Sequence, residues 1–524
     1  MIGVKMAYRI NHVNKNTGIT YVYESISYWD KEKKQPRSKQ VCIGKLAKDT
    51  GEFIPSKRLN PEQAAVRDPK VVANAQIIGP NIILDTITKE LELDRLLEYC
   101  CPKYHKQIKA MAYYLVHQGD ALSHCENWCA SHMPEVANTL TSQNISDILD
   151  TITIGTKQTF MSQWLLQNSE DDHLCYDITS ISSYCESNAY IRHGYNRDGD
   201  QLAQLNLAVM FGQNSGLPLY FQDLPGSIND VKTLNNLLKT IKELSNKPLS
   251  YVMDKGFYSK SNIDNLLATN SKFIISVPLN NKWLQCAIDD IYTKAEDINY
   301  YQTMDQDVLF VHTRLHPWGD KKRRCYLHLY YNAVARANAV LKFHAALINY
   351  KKELEAGKPI VAHQEIYDEF FIVKTTPKRG KTVSFNNDAI NQYIKRYAGF
   401  YAILTNSVKD PIRSLQIYRD KDAVEKCFDD LKNHNDMKRL RMHTSKTVHG
   451  RLFVQFIALI YMSAIRKKLR ATKLANQYTV RELLREMDTV TRVTYSGKYR
   501  GIITELTKSQ NKILDELKIE LPKT

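Results

Sequence analysis

The spacing of hydrophobic positions changes along the chain and divides it into segments. Residues 1–58 read as strands: 21–28 is aromatic and β-branched, 40–44 is a short apolar run, and lysine-bearing turns at 14–18, 30–36 and 48–51 separate them. This predicts a β arm whose lysines either touch phosphate or simply solvate its turns. From about residue 80 to 169 the apolar spacing becomes three and four, which predicts helices over 82–99 and 108–117. Residues 146–154, a Gly-Thr break at 155–156, and 157–166 have the pattern of a helix-turn-helix. Such a pair reads DNA or is an ordinary piece of a helical domain.

The middle of the chain alternates. Strands are expected over 174–178, 204–211 and 217–222, with a hairpin turn at 213–216 between the last two. Residues 225–230 then supply a stop and an acidic start for a helix over 231–244. A strand over 249–253 ends on Asp254-Lys255-Gly256, followed by a helix from Ser261 and a strand over 272–277. Three strands in a meander, then helix, strand, helix and strand, is the order of a ribonuclease H-like core. Residues 281–397 interrupt it with strand-like pieces at 308–312, 326–331 and 370–374 and one polar helix over 335–356. An apolar strand returns at 399–405, with two helices behind it. The expected fold class is therefore α/β: a ribonuclease H-like catalytic core interrupted by a mostly β insertion, with an N-terminal β arm and a helical DNA-binding region. The boundaries follow as 1–58 for the arm, 59–170 for the helical region, 171–280 and 398–470 for the two parts of the core, 281–397 for the insertion, and 471–524 for a C-terminal helical segment.

Chemistry concentrates on three acids. Asp177 lies near the end of the first core strand and Asp254 ends the fourth; in the expected sheet these strands are neighbours. Two carboxylates at one edge repel, and a bound divalent cation keeps both ionised. All-oxygen ligands suit Mg²⁺ or Mn²⁺. The third acid comes from helical arithmetic over 417–432. At about 100° per residue, Tyr418, Lys421, Glu425 and Lys432 share a stripe about 60° wide, beside the apolar Ile417, Val424, Phe428 and Leu431. That rim suits a metal ion gripping a phosphodiester, or it is a solvated face with two ion pairs.

These residues resemble the bacterial insertion-sequence transposases of the DDE type, in particular the subgroup with a Tyr-x2-Arg-x3-Glu-x6-Lys signature. Here it reads Tyr418-x2-Lys421-x3-Glu425-x6-Lys432, with Lys for Arg; Lys cannot make the bidentate fork of Arg. Supporting blocks are 176–180, 194–199, 254–258 and 399–406. The resemblance implies that Asp177, Asp254 and Glu425 bind two Mg²⁺ ions, with Mn²⁺ able to substitute, for in-line phosphodiester displacement. It implies that Tyr418, Lys421 and Lys432 hold DNA phosphates beside the cut. In relatives that form a DNA hairpin, an aromatic of the insertion stacks on a flipped base. Trp318, with Lys321 to Arg324 close behind it, is the candidate here; its other reading is a local core plug. The implied activity is cut-and-paste transposition: binding terminal inverted repeats, cutting, and joining 3′ ends to target DNA. The implied partners are double-stranded DNA and a second copy of the chain in the DNA complex. A catalytically inactive DNA-binding descendant and a metal-dependent nuclease without strand transfer are the alternatives; the complete triad favours the enzyme.

Composition agrees where it has a voice. The chain has 524 residues with 72 Lys and Arg against 56 Asp and Glu, a formal charge of +16 that favours a polyanionic partner. The longest apolar stretch, residues 452–465, includes Gln455 and is too short to span a bilayer, which predicts a buried helix. No signal-peptide pattern opens the sequence, and ten cysteines without a regular framework fit reduced thiols. The expected location is the bacterial cytoplasm, at the nucleoid, with no membrane partner. His124, Cys125, Cys129 and His132 resemble zinc ligands but lack a second pair at metal-site spacing; a small buried helix face is the competing reading.

Overall fold

The computed structural model describes residues 7–522 apart from 31–32, 34, 57–72, 170–171, 185–187, 229, 245–247, 306, 377–379, 435–438, 441–444 and 496–500. Contacts divide the chain into two units, one of residues 1–74 and 493–502, the other of 75–492 and 503–524. In the first, Ala7–Val13, Thr20–Asp30, Gln35–Leu46 and Phe53–Pro55 form an antiparallel meander in sequence order. Val22 and Ser25 on its second strand and Gly44 on its third are buried.

The second unit is built on one large mixed sheet. Its strands in chain order are β1 (His173–Ser183), β2 (Gln204–Gly212), β3 (Pro218–Pro225), β4 (Ser250–Met253), β5 (Lys272–Val277), β6 (Tyr301–Met304), β7 (Asp307–Trp318), β8 (Arg323–Tyr331) and β9 (Phe400–Thr405). Across the sheet they run β6-β7-β8-β9-β5-β4-β1-β2-β3, with the short strand Arg439–Leu440 paired to β1. β4 lies parallel to both β1 and β5, whereas β9 is antiparallel to β5 and β8. Asn406, just past β9, accepts from Phe273 N–H at 2.9 Å and donates to Ser271 C=O at 2.9 Å, which locks β9 onto β5.

Four readings of the sequence are corrected. β1 continues to Ser183, so Asp177 sits in mid-strand rather than near its end. The continuation is polar yet buried: Ser180 hydroxyl donates to Asn206 at 3.1 Å and Ser182 accepts from Asn196 at 3.1 Å. The helix expected over 82–99 is two, Gly79–Glu90 and Leu93–Cys100, broken where Glu92 takes φ +51°. The break expected at 155–156 falls at Ile152 and Thr153: helices Ser142–Thr151 and Ile154–Asn168 meet there, and the Thr153 side chain caps the second by accepting from Thr156 N–H at 3.1 Å. The 281–397 segment is not mainly β. Its strands β6, β7 and β8 extend the central sheet, while the rest is largely helical (Ala333–Glu355, Gln364–Phe370, Asn387–Arg396) around one hairpin, Phe371–Thr376 with Gly380–Phe385. That part has its own apolar cluster around Leu347, Tyr367, Phe370 and Ile390.

The helix Ser445–Arg470 runs through the core. By length and composition it meets the test for a membrane span, but 94% of its most apolar window is buried inside the protein. Phe453 and Phe456 pack edge-on against Phe160, and Phe456 tilts against Phe221. Tyr461 bonds Thr88 at 2.7 Å. At Gly450 a side chain would meet Leu149 C=O at 2.2 Å, so only glycine lets the helix Ser142–Thr151 approach this closely.

Candidate active site

Parallel pairing fixes the first two acids. The β1–β4 register matches His173 with Ser250 and Tyr176 with Met253. The next residue on each strand is Asp177 and Asp254, so the backbone sets the two carboxylates side by side. Asp254 closes β4 by capping the turn Lys255–Phe257, its carboxylate accepting from Lys255 N–H at 2.8 Å. Asp177 accepts from Ile178 N–H at 2.8 Å. Burial pushes the Asp177 carboxyl up to about 6; the Ile178 bond and the Lys421 and Arg197 charges act against it, and the Asp254 charge adds to it.

Glu425 comes from the segment behind β9, which is not the single helix that the stripe assumed. Pro411–Arg419 ends at Asp420, Asp422–Asp429 begins after Lys421, and a π-type turn covers Asp430–His434. Asp410 starts the first helix by accepting from Ile412 and Arg413 N–H at 2.8 and 3.2 Å. The two breaks re-aim the stripe. Tyr418 hydroxyl donates to Asp254 Oδ1 at 2.7 Å. Burial, the Asp254 charge and that bond push the phenol well above its ordinary value, so it remains a donor. Lys421 Nζ donates to Glu425 Oε1 at 3.0 Å. Burial alone would lower the Lys421 pKa; the Glu425 bond and the Asp254, Glu425 and Asp177 charges outweigh it and raise it. One ammonium thus serves all three acids.

Lys432 is turned to Asp198, 2.6 Å from its Oδ2, which ties the 194–199 block to the Glu425 segment. Arg419 points elsewhere, bonding Asp307 at 3.0 Å with Asp305 at 3.8 Å, and so does not replace Lys421. Gln213 was not singled out from sequence. Its amide donates to Ile417 C=O at 2.7 Å and to Cys175 at 3.1 Å, anchoring the helix that carries Tyr418 to β1. A turn glutamine at 213 carries no signal of that task, because its partner is 204 residues away.

Trp318 is corrected as a stacking platform. It is 7% exposed, its indole N–H donates to Asp264 at 2.7 Å, and it meets Tyr258 and Trp283 edge-on, so it is a core plug. The zinc-like set does not assemble either. Cys125 and Cys129 sulfurs lie 3.8 Å apart on one buried face, while exposed His124 turns to Asp120 at 3.6 Å. His132 instead joins His117 and Asp488, whose ligand atoms all lie within 4.8 Å of one another. Trp128 N–H donates to His117 Nδ1 at 2.8 Å, which leaves the proton on Nε2 facing Asp488 Oδ1 at 3.0 Å. His117 Nε2, His132 Nε2 and Asp488 Oδ1 nonetheless make no hydrogen bond among the described residues, so the trio is a close His-His-Asp cluster distinct from the set expected from sequence.

The acidic triad fits hard divalent cations: three carboxylates, two of them set by strand register, share the Lys421 ammonium. Residues 168–461 match the family model of the transposase DDE domain. A solved cryo-EM structure, a piggyBac transposase synaptic complex with hairpin DNA, is similar at 10% identity and a TM-score of 0.35, over 78% of this chain and 77% of that one. No curated protein matches the chain.

Proposed function

The chain belongs to the transposase DDE domain family, and from that membership we propose that it binds the terminal inverted repeats of a bacterial insertion sequence, cuts the DNA and joins the 3′ ends to a target. The single observation that carries the reading to residues is the β1–β4 register, which sets Asp177 beside Asp254. The sheet order, with parallel β5-β4-β1 flanked by the β1-β2-β3 meander, supports a ribonuclease H-like core. The Tyr418, Lys421, Glu425 and Lys432 spacing supports the Tyr-Arg-Glu-Lys subgroup, with Lys421 in the Arg place.

In this reading Asp177, Asp254 and Glu425 would hold two Mg²⁺ ions, or Mn²⁺ in their place, which would supply Lewis-acid stabilisation for phosphodiester displacement by water or a 3′-hydroxyl. The chain's own part is positioning. Tyr418 orients Asp254, Gln213 holds the Tyr418 helix, and Lys421 balances the carboxylates until a scissile phosphate arrives. Lys432 exchanges Asp198 for a phosphate when DNA binds. Joining two ends requires two chains, so the working species is a homodimer on DNA, at the nucleoid in the cytoplasm.

The test is cleavage of DNA fragments that carry the sequences flanking the gene. The proposal expects wild-type nicking at the repeat boundary in Mg²⁺, followed by joining to a plasmid. Cutting without joining would instead make it a nuclease, and binding without cutting an inactive descendant.

A further inference from the structure

We propose that the cleft between the Asp422–Asp429 helix, the core helix and the 475–481 segment is a phosphate-binding site, built on Arg481, Arg466, Arg470 and Lys426. The cleft has a volume of about 330 Å³, ample for a phosphate and its ester neighbours. Four cationic side chains line it against one carboxylate, Asp430. Asp430 is fully buried and both of its oxygens are hydrogen-bonded by the Arg466 guanidinium, so one carboxylate, whose charge also reaches Arg481, stands against four cations.

Arg481 makes the site specific. Its Nε and Nη2 are buried and have no hydrogen-bond partner. Leaving buried donors of a charged group unsatisfied is costly, so such groups normally face a ligand or ordered water. Nε and one Nη of a guanidinium form the fork that matches two oxygens of a phosphate. Met462, Leu469 and Val480 in the lining keep the local dielectric low, which strengthens that pairing. Burial and the nearby Arg485 charge push the Arg481 pKa below its ordinary value against the opposing Asp430 charge, and a bound anion would raise it. Arg470 and exposed Lys426 at the rim would admit an oxyanion from solvent or from a DNA strand. No triad residue lines the cleft, although Lys426 follows Glu425 on the same helix. That the phosphate belongs to a DNA backbone rests on the function proposed above, whereas the anion chemistry does not.

The experiment has two arms on the full chain, with circular dichroism to confirm folding. In the first, inorganic phosphate and pyrophosphate are titrated at constant ionic strength while Tm is read. In the second, binding to a duplex 30-mer of arbitrary sequence is measured against salt. For wild type, pyrophosphate raises Tm; Arg481→Gln abolishes the rise and Arg481→Lys restores part of it. The slope of log K against log salt falls by about 0.9 in Arg481→Gln if a backbone phosphate is the ligand. A lost pyrophosphate response with an unchanged slope, or in a protein that does not bind DNA, assigns the site to a free phosphate compound. Should Arg481→Gln misfold, Arg470→Gln at the exposed rim takes its place with the same expectations. No pyrophosphate response in wild type together with unchanged slopes in the variants means that the cleft holds only water, and overturns the proposal.

Discussion

Tyr418 hydroxyl donates to Asp254 Oδ1 at 2.7 Å across 164 residues of sequence. The bond joins the end of β4 to the helix that leads into Glu425, so the second and third acids are coupled through a phenol. Tyr418→Phe removes the donor and little volume. Cleavage is expected to fall about 10- to 100-fold, with stability changed by only about 1 kcal/mol. Wild-type cleavage in the Phe variant would make the bond incidental.

Lys421 interacts with the charges of Asp177, Asp254 and Glu425 together. Removing it takes a positive charge away from all three carboxylates, so Lys421→Met is expected to bind Mn²⁺ more tightly while cleaving DNA more slowly. Lys421→Arg is expected to cleave as well as wild type or better, since the fork adds a hydrogen bond to phosphate. Calorimetric titration of Mn²⁺ and single-turnover cleavage read the two effects separately. Unchanged Mn²⁺ affinity in Lys421→Met would place Lys421 outside the acidic site.

Asp177 carries a pH signature. Its carboxyl is up to about 6 in the folded chain against an ordinary 3.8. Between those values the folded state holds the extra proton, so without metal Asp177 makes stability fall as pH rises through about 6. Asp177→Asn is therefore expected to stabilise the metal-free protein at pH 7.5, by on the order of 2 kcal/mol, and to abolish cleavage. Urea midpoints at pH 4.5 and 7.5 decide it; equal loss of stability at both would deny the shift.

Asp223 shows the opposite sign. It is 4% exposed in its side chain, bonded by the Lys157 ammonium and 2.9 Å from His449 Nδ1. Burial opposes its ionisation, but the His449 and Lys157 interactions win and hold it well below the usual carboxylate range. Its stabilisation is present above about pH 4 and is lost as pH falls further. Asp223→Ala strands a half-buried ammonium and is expected to cost about 3–5 kcal/mol at pH 7, read by thermal or urea unfolding. A loss under 1 kcal/mol would show the Lys157–Asp223–His449 contacts to be loosely held.

Much of the site was legible because its signals are local. Asp254 at a strand end before Lys-Gly, and Glu425 at fixed spacing from Tyr418, are written in consecutive residues. What was illegible depends on long-range burial. Ser180 and Ser182 look like loop residues, yet Asn206 and Asn196 satisfy them inside β1. The break at Asp420 and Lys421 has no Gly or Pro to announce it. Trp318 beside a proline reads equally as platform or plug until Asp264, Tyr258 and Trp283 are seen around it. Strands β6 to β8 carry ordinary alternation, and nothing in it tells an inserted domain from an extension of the central sheet.

The central claim is that Asp177, Asp254 and Glu425 form one divalent-cation centre, and it can be tested without DNA. Ferrous iron with ascorbate generates hydroxyl radicals where the ion is bound, and the chain is cut there. Fragments ending near residues 177, 254 and 425 are expected, suppressed by excess Mg²⁺ and absent in Asp254→Asn. Fragments ending near His117, His132 and Asp488 instead, or cuts at the acidic site that Mg²⁺ does not suppress, would contradict it.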